Sequence, residues 1–504
     1  MTTGVDSVLF IFTDQHRADA MGAAGDPVVR TPNLDRLAKE GVLFRHTYCQ
    51  SPVCMPSRSS LFTGRYPHQH GILGNGATIW PDSPCFVRGL RDAGLHTAVI
   101  GKLHFTWRHD VEMLCAQPLL WRLGFSDPHE TTGKMSAGNL RVSEYSEHLR
   151  VRGLLDGFYR DLLRRVEAGP ARGEHGPSLL SADDHLDGWI GNRAERWLRD
   201  HDGRPFFLWV GPPGPHNPFD PPEPYASLYR EADMADGIRT LADDPHAVGR
   251  ARHLDGAGGE DRFAVRAIRT QYYGNISLID ARIGAMLGAL EARGALERTW
   301  VVYASDHGEF LGDRGLWGKS EFYREAVRVP LIVRPPDRLR TARRGQCSDA
   351  LVELIDVSQT MLDIAGSEVA GHQGRSLLPL LLGKAPLDHH RDAVFSEIDR
   401  RLMVCTGREK LAVERETLAP LSYWDLEADP EEKVNRAQDP ACRDAIGRLI
   451  RDQIQPFLHR TPADMGEPWG VVAPYGRWGR NPLRERWWQA PPAQRAERRA
   501  AGSR

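Results

Sequence analysis

Cys54 lies in the stretch SPVCMPSRSSLFTG, residues 51–64, two residues before Pro56. Proline suits the first turn of a helix, where its missing N–H is not needed, and Ser59 to Arg65 can continue that helix. The spacing therefore puts Cys54 at the positive end of a helix dipole, where unpaired N–H groups favour anions. A nucleophile that must meet a negatively charged substrate fits there; a buried, inert core thiol is the other reading. A second set of reactive side chains follows the apolar runs. Asp14 and Gln15 come after residues 7–13, Lys102 and His104 after 96–101, and His216 after 205–211; Asp306 and His307 come after 299–305, with Lys319 beyond them. Two carboxylates, an imidazole and an amide can hold one hard divalent cation, while two lysines and two histidines supply the charge and protons that a bound oxyanion needs. Taken singly, each of these residues has a plainer role as a turn former or a solvated charge.

These residues meet only if the runs before them are neighbouring strands, because an open parallel sheet binds ligands outside the carboxyl ends of its strands. SVLFIFT (7–13), HTAVIG (96–101), PFFLWVG (205–211), TWVVYAS (299–305) and VRVPLIV (327–333) read as strands, and amphipathic stretches alternate with them. TPNLDRLAKEG reads as a helix with a threonine cap, an early proline and a closing glycine. NISLIDARIGAMLGALEARG repeats apolar residues at helical spacing. The pattern predicts an α/β fold over residues 1–385, a large, mostly parallel sheet flanked by helices. Residues 105–190 and 212–262 break the rhythm and read as insertions over one face of the sheet. Residues 386–463 read as a smaller α+β domain with an antiparallel sheet. Residues 464–504, rich in Trp, Arg and Pro, read as a frayed tail or as an arm laid on a neighbouring subunit of a homo-oligomer.

Lys and Arg number 65 against 67 for Asp and Glu in 504 residues, so no global field attracts nucleic acid or an anionic membrane. No run approaches a membrane span, and the start lacks the pattern of a secretory signal, which makes the cytoplasm the expected location. The seven cysteines are scattered, which argues against both a disulfide framework and a thiolate zinc site.

CMPSR at 54–58 matches the C-x-P-S-R signature of the type I sulfatases, within the alkaline phosphatase superfamily. FTDQHRADAMG, TPNLDRLAKEGVLF, GKLH, SDHGEFLGDRGLWGKSEFYREAVRVPLIV and YWDLEADPEEKVN are similar to that family and stand in its order, so the resemblance spans most of residues 7–440. It implies an alkaline phosphatase-like fold and a Cys54 oxidised to formylglycine by a formylglycine-generating enzyme that reads the Pro-Ser-Arg segment. One hydroxyl of the hydrated aldehyde would attack sulfur, and the second would then release sulfate. By the same resemblance Arg58 holds the diol, while Asp14, Gln15, Asp306 and His307 bind the cation together with the modified Cys54. Lys102 and Lys319 hold the sulfate oxygens, His104 is the base that triggers sulfate release, and His216 protonates the leaving oxygen.

Gln15 in place of a second aspartate and His307 in place of an asparagine depart from the commonest family pattern. Both variants occur in sulfatases and in related phosphonate monoester and phosphodiester hydrolases. Oxygen ligands favour calcium, and the imidazole makes manganese the alternative. The expected reaction is hydrolysis of a small sulfate monoester, with Lys102 and His104 favouring sulfate. Phosphonate monoester or phosphodiester hydrolysis is the nearest rival, and a non-catalytic binding protein with the same fold is a rival of another class. Trp107, Arg108, His109, His129 and Lys134 are expected to form an aromatic and basic wall for an aryl or sugar sulfate.

Overall fold

A strand buried on both faces needs apolar side chains in both directions, and SVLFIFT supplies them. This strand, β1 (Ser7–Thr13), sends Val8, Phe10 and Phe12 into one core with Phe207 and Trp209, and Leu9 and Ile11 into a second core with Leu208 and Val210. The structure is a computed structural model that describes residues 4–105, 117–134, 143–168, 175–238, 252–253, 261–462 and 470–472. After β1 the same sheet receives β2 (Val42–Tyr48), β3 (His96–Lys102), β4 (Asp127–Thr131), β5 (Phe206–Gly211), β6 (Thr299–Ser305), β7 (Arg328–Val329), β8 (Leu331–Arg334) and β9 (Gln346–Glu353). Across the sheet the order is β7-β2-β8-β6-β1-β5-β3-β4, with β9 paired to β2. The run from β6 to β4 is parallel, and β8 is antiparallel to both β6 and β2. The chain therefore has the expected α/β architecture.

Two local expectations change. VRVPLIV forms two short strands, not one, because Pro330 between β7 and β8 has no N–H to give to a ladder. Part of residues 105–190 belongs to the sheet and does not lie over it: DPHET forms β4, whose edge position tolerates Pro128.

The C-terminal strands β10 (Val394–Ile398), β11 (Arg401–Cys405), β12 (Glu409–Glu414) and β13 (Pro420–Asp425) form a separate antiparallel sheet in sequential order. This sheet grips the segment that follows Lys319. Arg401 donates to Glu321 at 2.7 Å and to Ser320 O at 3.3 Å, and Lys410 Nζ donates to Phe322 O at 2.9 Å. In the tail, Gly470–Val472 pairs antiparallel with Ala77–Ile79 of the same chain; residues 473–504 lie outside the described residues. No described helix is long and apolar enough to cross a membrane.

Three helices bear on the site: α1 (Pro32–Glu40), α2 (Cys54–Thr63) and α3 (Asp261–Ala292). Thr31 precedes α1 as expected, but its hydroxyl does not cap the helix; it donates to Asp35 at 3.1 Å and accepts from Gly22 N at 2.9 Å. Asp280 on α3 caps α1 instead, accepting from Asn33 N at 3.1 Å and Leu34 N at 2.8 Å. Asp280→Ala is expected to lower stability by about 2 kcal/mol, through loss of the cap and of a buried acceptor. Urea denaturation measures the loss, and hydrogen exchange should show the Asn33 and Leu34 amides opening faster. An unchanged midpoint with unchanged exchange would assign the capping elsewhere.

Candidate active site

Val53 is extended, with φ −144° and ψ 134°, and Cys54 is the first helical residue of α2. The helix carries no apolar stripe, yet all of its side chains are buried, so its polar groups must find partners inside the protein. Ser57 Oγ donates to Asp306 O at 2.6 Å, and Ser60 Oγ pairs with His70 Nε2 at 2.9 Å. One open N–H of the first turn, Met55 N, donates to Asn75 Oδ1 at 2.9 Å. Arg58 Nε donates to Asp306 Oδ2 at 2.7 Å, while its other nitrogens reach Lys102 O and Thr13 O, each at 3.2 Å. One helix is thereby fastened to the carboxyl ends of β1, β3 and β6.

The pairing register of β1 and β6 ends at Thr13↔Ser305, so Asp14 and Asp306 emerge side by side. Each aspartate gives one oxygen to a cationic side chain, Asp14 Oδ2 to Lys102 and Asp306 Oδ2 to Arg58. The other oxygens face the same small volume. His307 Nε2 lies 3.6 Å from both Asp14 Oδ1 and Asp306 Oδ1, and 3.1 Å from Cys54 Sγ, itself 3.8 Å from Asp14 Oδ1. His307 Nδ1 sits 2.9 Å from Gly308 O, and because a carbonyl only accepts, the proton is on Nδ1 and Nε2 is turned to the site. His216 Nδ1 is likewise 2.6 Å from Asn217 O. At the end of β3, Gly101 is required, since a Cβ there would stand 2.4 Å from Gly211 O. Gln15 and His104 both hold left-handed backbone conformations, at φ 71° and φ 65°, which a non-glycine residue keeps only when its surroundings enforce it.

Burial and the Cys54 charge push the Asp14 carboxyl up, but Lys102, His216 and Arg58 outweigh them and hold it below the ordinary carboxylate range. Burial also opposes ionisation of the Cys54 thiol; Lys319, His307 and Lys102, with a hydrogen bond from His104, bring it well below the usual thiol range. Burial and then Lys102 lower His104 to about 4, and burial and Lys319 lower His216. Burial works against the Lys319 charge, and Cys54, Asp14 and Asp306 raise it by more. Burial lowers His307 while Asp306 raises it further, and a bound cation would replace that proton.

Ligand atoms of Asp14, Cys54, Asp306 and His307 all lie within 4.8 Å of one another. Two carboxylate oxygens and an imidazole nitrogen fit a divalent cation of the calcium or manganese kind, and Gln15 adjoins them through its N–H, which donates to Asp306 Oδ1 at 3.0 Å. The structure thus brings together the sequence-derived residues Asp14, Gln15, Cys54, Arg58, Lys102, His104, His216, Asp306, His307 and Lys319.

Sequence reasoning missed two buried carboxylates. Glu130, on β4, accepts from His104 N at 3.3 Å, and burial raises it to about 7. Its contact depends on the pairing of β3 with β4, which no local pattern shows. Glu309 accepts from Gln15 Nε2. A signal for it existed, because an amide that replaces a ligand carboxylate brings an NH2 group that needs an acceptor.

The chain matches the family model described as Sulfatase over residues 6–367, and the one described as N-sulphoglucosamine sulphohydrolase, C-terminal, over residues 312–457. It is similar to a multifunctional alkaline phosphatase superfamily protein of Trinickia caryophylli, at 31% identity with 90% of this chain and 94% of that protein covered. It is also similar to an arylsulfatase of Clostridium perfringens, at 28% identity with 88% and 92% covered. Among solved structures, a phosphonate monoester hydrolase of Silicibacter pomeroyi is similar with a TM-score of 0.75 and 27% identity, covering 92% of this chain and 97% of that one.

The expected substrate wall is not assembled as read. Trp107, Arg108 and His109 lie outside the described residues. Lys134 is buried, not facing a ligand: it donates to Asp220 at 3.1 Å and lies 3.3 Å from Asp187. Asp187 in turn accepts from Gly214 N at 2.7 Å, so this group braces the segment that carries His216. His129 sits on the edge strand between Asp127 and Glu144, at 2.9 Å from each, with Arg193 also on Glu144. Its hydrogen bonds to those carboxylates raise it to about 9. A histidine raised on folding stabilises fully below its unfolded pKa of about 6.5, and that contribution is lost as pH rises through about 9. His129→Gln is therefore expected to cost about 1 kcal/mol at pH near 6 and almost nothing at pH near 10. Denaturation midpoints of both proteins at the two pH values measure this, and an equal loss at both would show that the charge has no part.

Proposed function

The chain belongs to the sulfatase family, and from that premise we propose that it hydrolyses a small sulfate monoester, an aryl or sugar sulfate, with Cys54 converted to formylglycine as the nucleophile. The observation that carries this reading is the convergence on Cys54 Sγ of His307 at 3.1 Å and Asp14 at 3.8 Å, with Lys102, Lys319, His104 and His216 around them. The Sγ is that of the encoded thiol and stands where the oxygens of the modified residue would be. Hydrated formylglycine would supply one hydroxyl for attack on sulfur and a second for release of sulfate. A divalent cation held by Asp14, Gln15, Asp306 and His307 would lower the pKa of the attacking hydroxyl and offset sulfate charge.

The chain's own side chains do the rest. Lys319 and Lys102 carry the positive charge that favours oxygens gaining charge in the transition state. His104, held neutral by burial and by Lys102, is suited to take a proton. His216, tied through Nδ1 to Asn217, directs Nε2 at the leaving oxygen; the negative charge of a bound ester beside it favours the protonated ring that donates there. Arg58 neutralises Asp306 and keeps the helix start in place. Phosphonate monoester hydrolysis is a second reading, favoured by the likeness to the Silicibacter pomeroyi enzyme.

Protein made alongside a formylglycine-generating enzyme is expected to show a Cys54 peptide lighter by about 18 Da. It should hydrolyse an aryl sulfate with a higher kcat/KM than the matching aryl phosphonate monoester. The reverse preference selects the second reading, and full activity from unconverted protein overturns the nucleophile.

His104→Ala is expected to release about one equivalent of alcohol in a burst and then sulfate only slowly. His216→Ala should slow alcohol release itself, and less so for leaving groups of low pKa. The same leaving-group dependence in both variants would show that the two roles are wrongly divided.

A further inference from the structure

Gln15 is the amide of the cation-binding set, and a neutral amide has a problem that a carboxylate lacks. One end is an acceptor and the other a donor, so half of its orientations turn NH2 toward the cation. In this chain the amide sits between two charged groups of opposite sign. Oε1 accepts from Lys319 Nζ, and Nε2 donates to Glu309 Oε2. The second oxygen of Glu309 is already taken, accepting from Leu311 N at 3.1 Å and from Gly318 N at 2.6 Å. Glu309 is 1% exposed, as is Gln15, so neither can turn to water. The Gln15 backbone is itself pinned in its left-handed conformation by Gln15 N donating to Asp306 Oδ1 at 3.0 Å, so the side chain starts from a fixed point.

We propose that Glu309 is a positioning residue for the cation: by accepting from Gln15 Nε2, it obliges Gln15 to present its carbonyl oxygen to the cation and to Lys319. This rests on the cation site of the proposed function, though not on the substrate or on conversion of Cys54.

The chemistry makes the inference testable by exchanging donor and acceptor. In Glu309→Gln, the Leu311 and Gly318 amides still demand an acceptor, so the new carbonyl oxygen stays with them and the new NH2 faces Gln15. Gln15 must then turn its own carbonyl oxygen to that NH2 and its NH2 to Lys319 and the cation. Adding Gln15→Glu to this variant restores an acceptor on both sides, since a carboxylate at position 15 meets the introduced NH2 with one oxygen and the cation with the other.

Calorimetric titration of the metal-free protein with Mn2+ and with Ca2+ alone measures the outcome without any substrate. Glu309→Gln is expected to weaken binding of the preferred cation by about ten- to a hundredfold, as loss of a group that orients a ligand does. The double variant should recover to within a few-fold of the unaltered protein. The carboxylate at 15 favours the cation by its charge alone, so its effect is also measured in Gln15→Glu with Glu309 intact. A larger gain beside the 309 change than without it separates orientation from added charge and from loop packing. Thermal melting of the metal-free proteins checks that each is folded; should Glu309→Gln not fold, Glu309→Asp, with its shortened reach to Gln15, is expected to weaken the cation in the same direction. Cation affinity within twofold of the unaltered protein in Glu309→Gln, or a double variant no tighter than the single, overturns the inference. An unaltered protein that takes up neither cation overturns it together with the cation site. One that binds a cation but cleaves no sulfate ester overturns the proposed reaction alone.

Discussion

A guanidinium removed from water must find its hydrogen bonds inside the protein or destabilise the fold by several kcal/mol. Arg58 is wholly buried, and its partners are the Asp306 carboxylate, Lys102 O and Thr13 O. Those partners lie at the ends of three strands, so satisfying one charge ties the first turn of α2 to β1, β3 and β6 together. Lys102 answers Asp14 in the same way across the site. The position of Cys54 follows from these pairs, because it is four residues before Arg58 on a helix that has no apolar face of its own.

The same pairs divide the labour of each aspartate. With Oδ2 of Asp14 and of Asp306 occupied by cationic side chains, only the Oδ1 atoms are left to face His307 and Cys54. Fixed charges placed this way do not have to reorganise when a charged ester arrives, which is the condition under which electrostatic stabilisation is most effective. Left-handed backbone at Gln15 and His104 belongs to the same pattern of placement. Each N–H is held by a buried carboxylate, Asp306 for Gln15 and Glu130 for His104, so the fold and not the local sequence sustains the conformation.

The C-terminal sheet takes part in the site at one remove. Arg401 and Lys410 reach the backbone of Ser320 and Phe322, and Arg401 also pairs with Glu321, immediately after Lys319. From the other side, Arg17 holds the carbonyls of Glu309 and Phe310, at 3.2 and 3.0 Å, and pairs with Asp313. The loop that carries both Glu309 and Lys319 is thus clamped between the β1 end and the small sheet, which gives that sheet a reason to be attached to the large one.

Much of this protein was legible in its residues alone. Unbroken apolar runs marked β1, β3, β5 and β6, and polar residues directly after them marked the site, because a parallel sheet exposes the carboxyl ends of its strands. Pro56 marked the start of α2, and the CMPSR motif pointed to the family. What the tertiary structure decided was partnership. Asp280 caps α1 across 246 residues where Thr31 was the expected cap; Lys134 is consumed by Asp187 and Asp220 and does not face a ligand; Glu309 accepts from Gln15 across 294 residues. Periodicity and turn chemistry are local properties, set by neighbours within a few positions. The partner of a buried charge or amide is set by which strand ends and helix faces come into contact, and that depends on the packing of the whole chain.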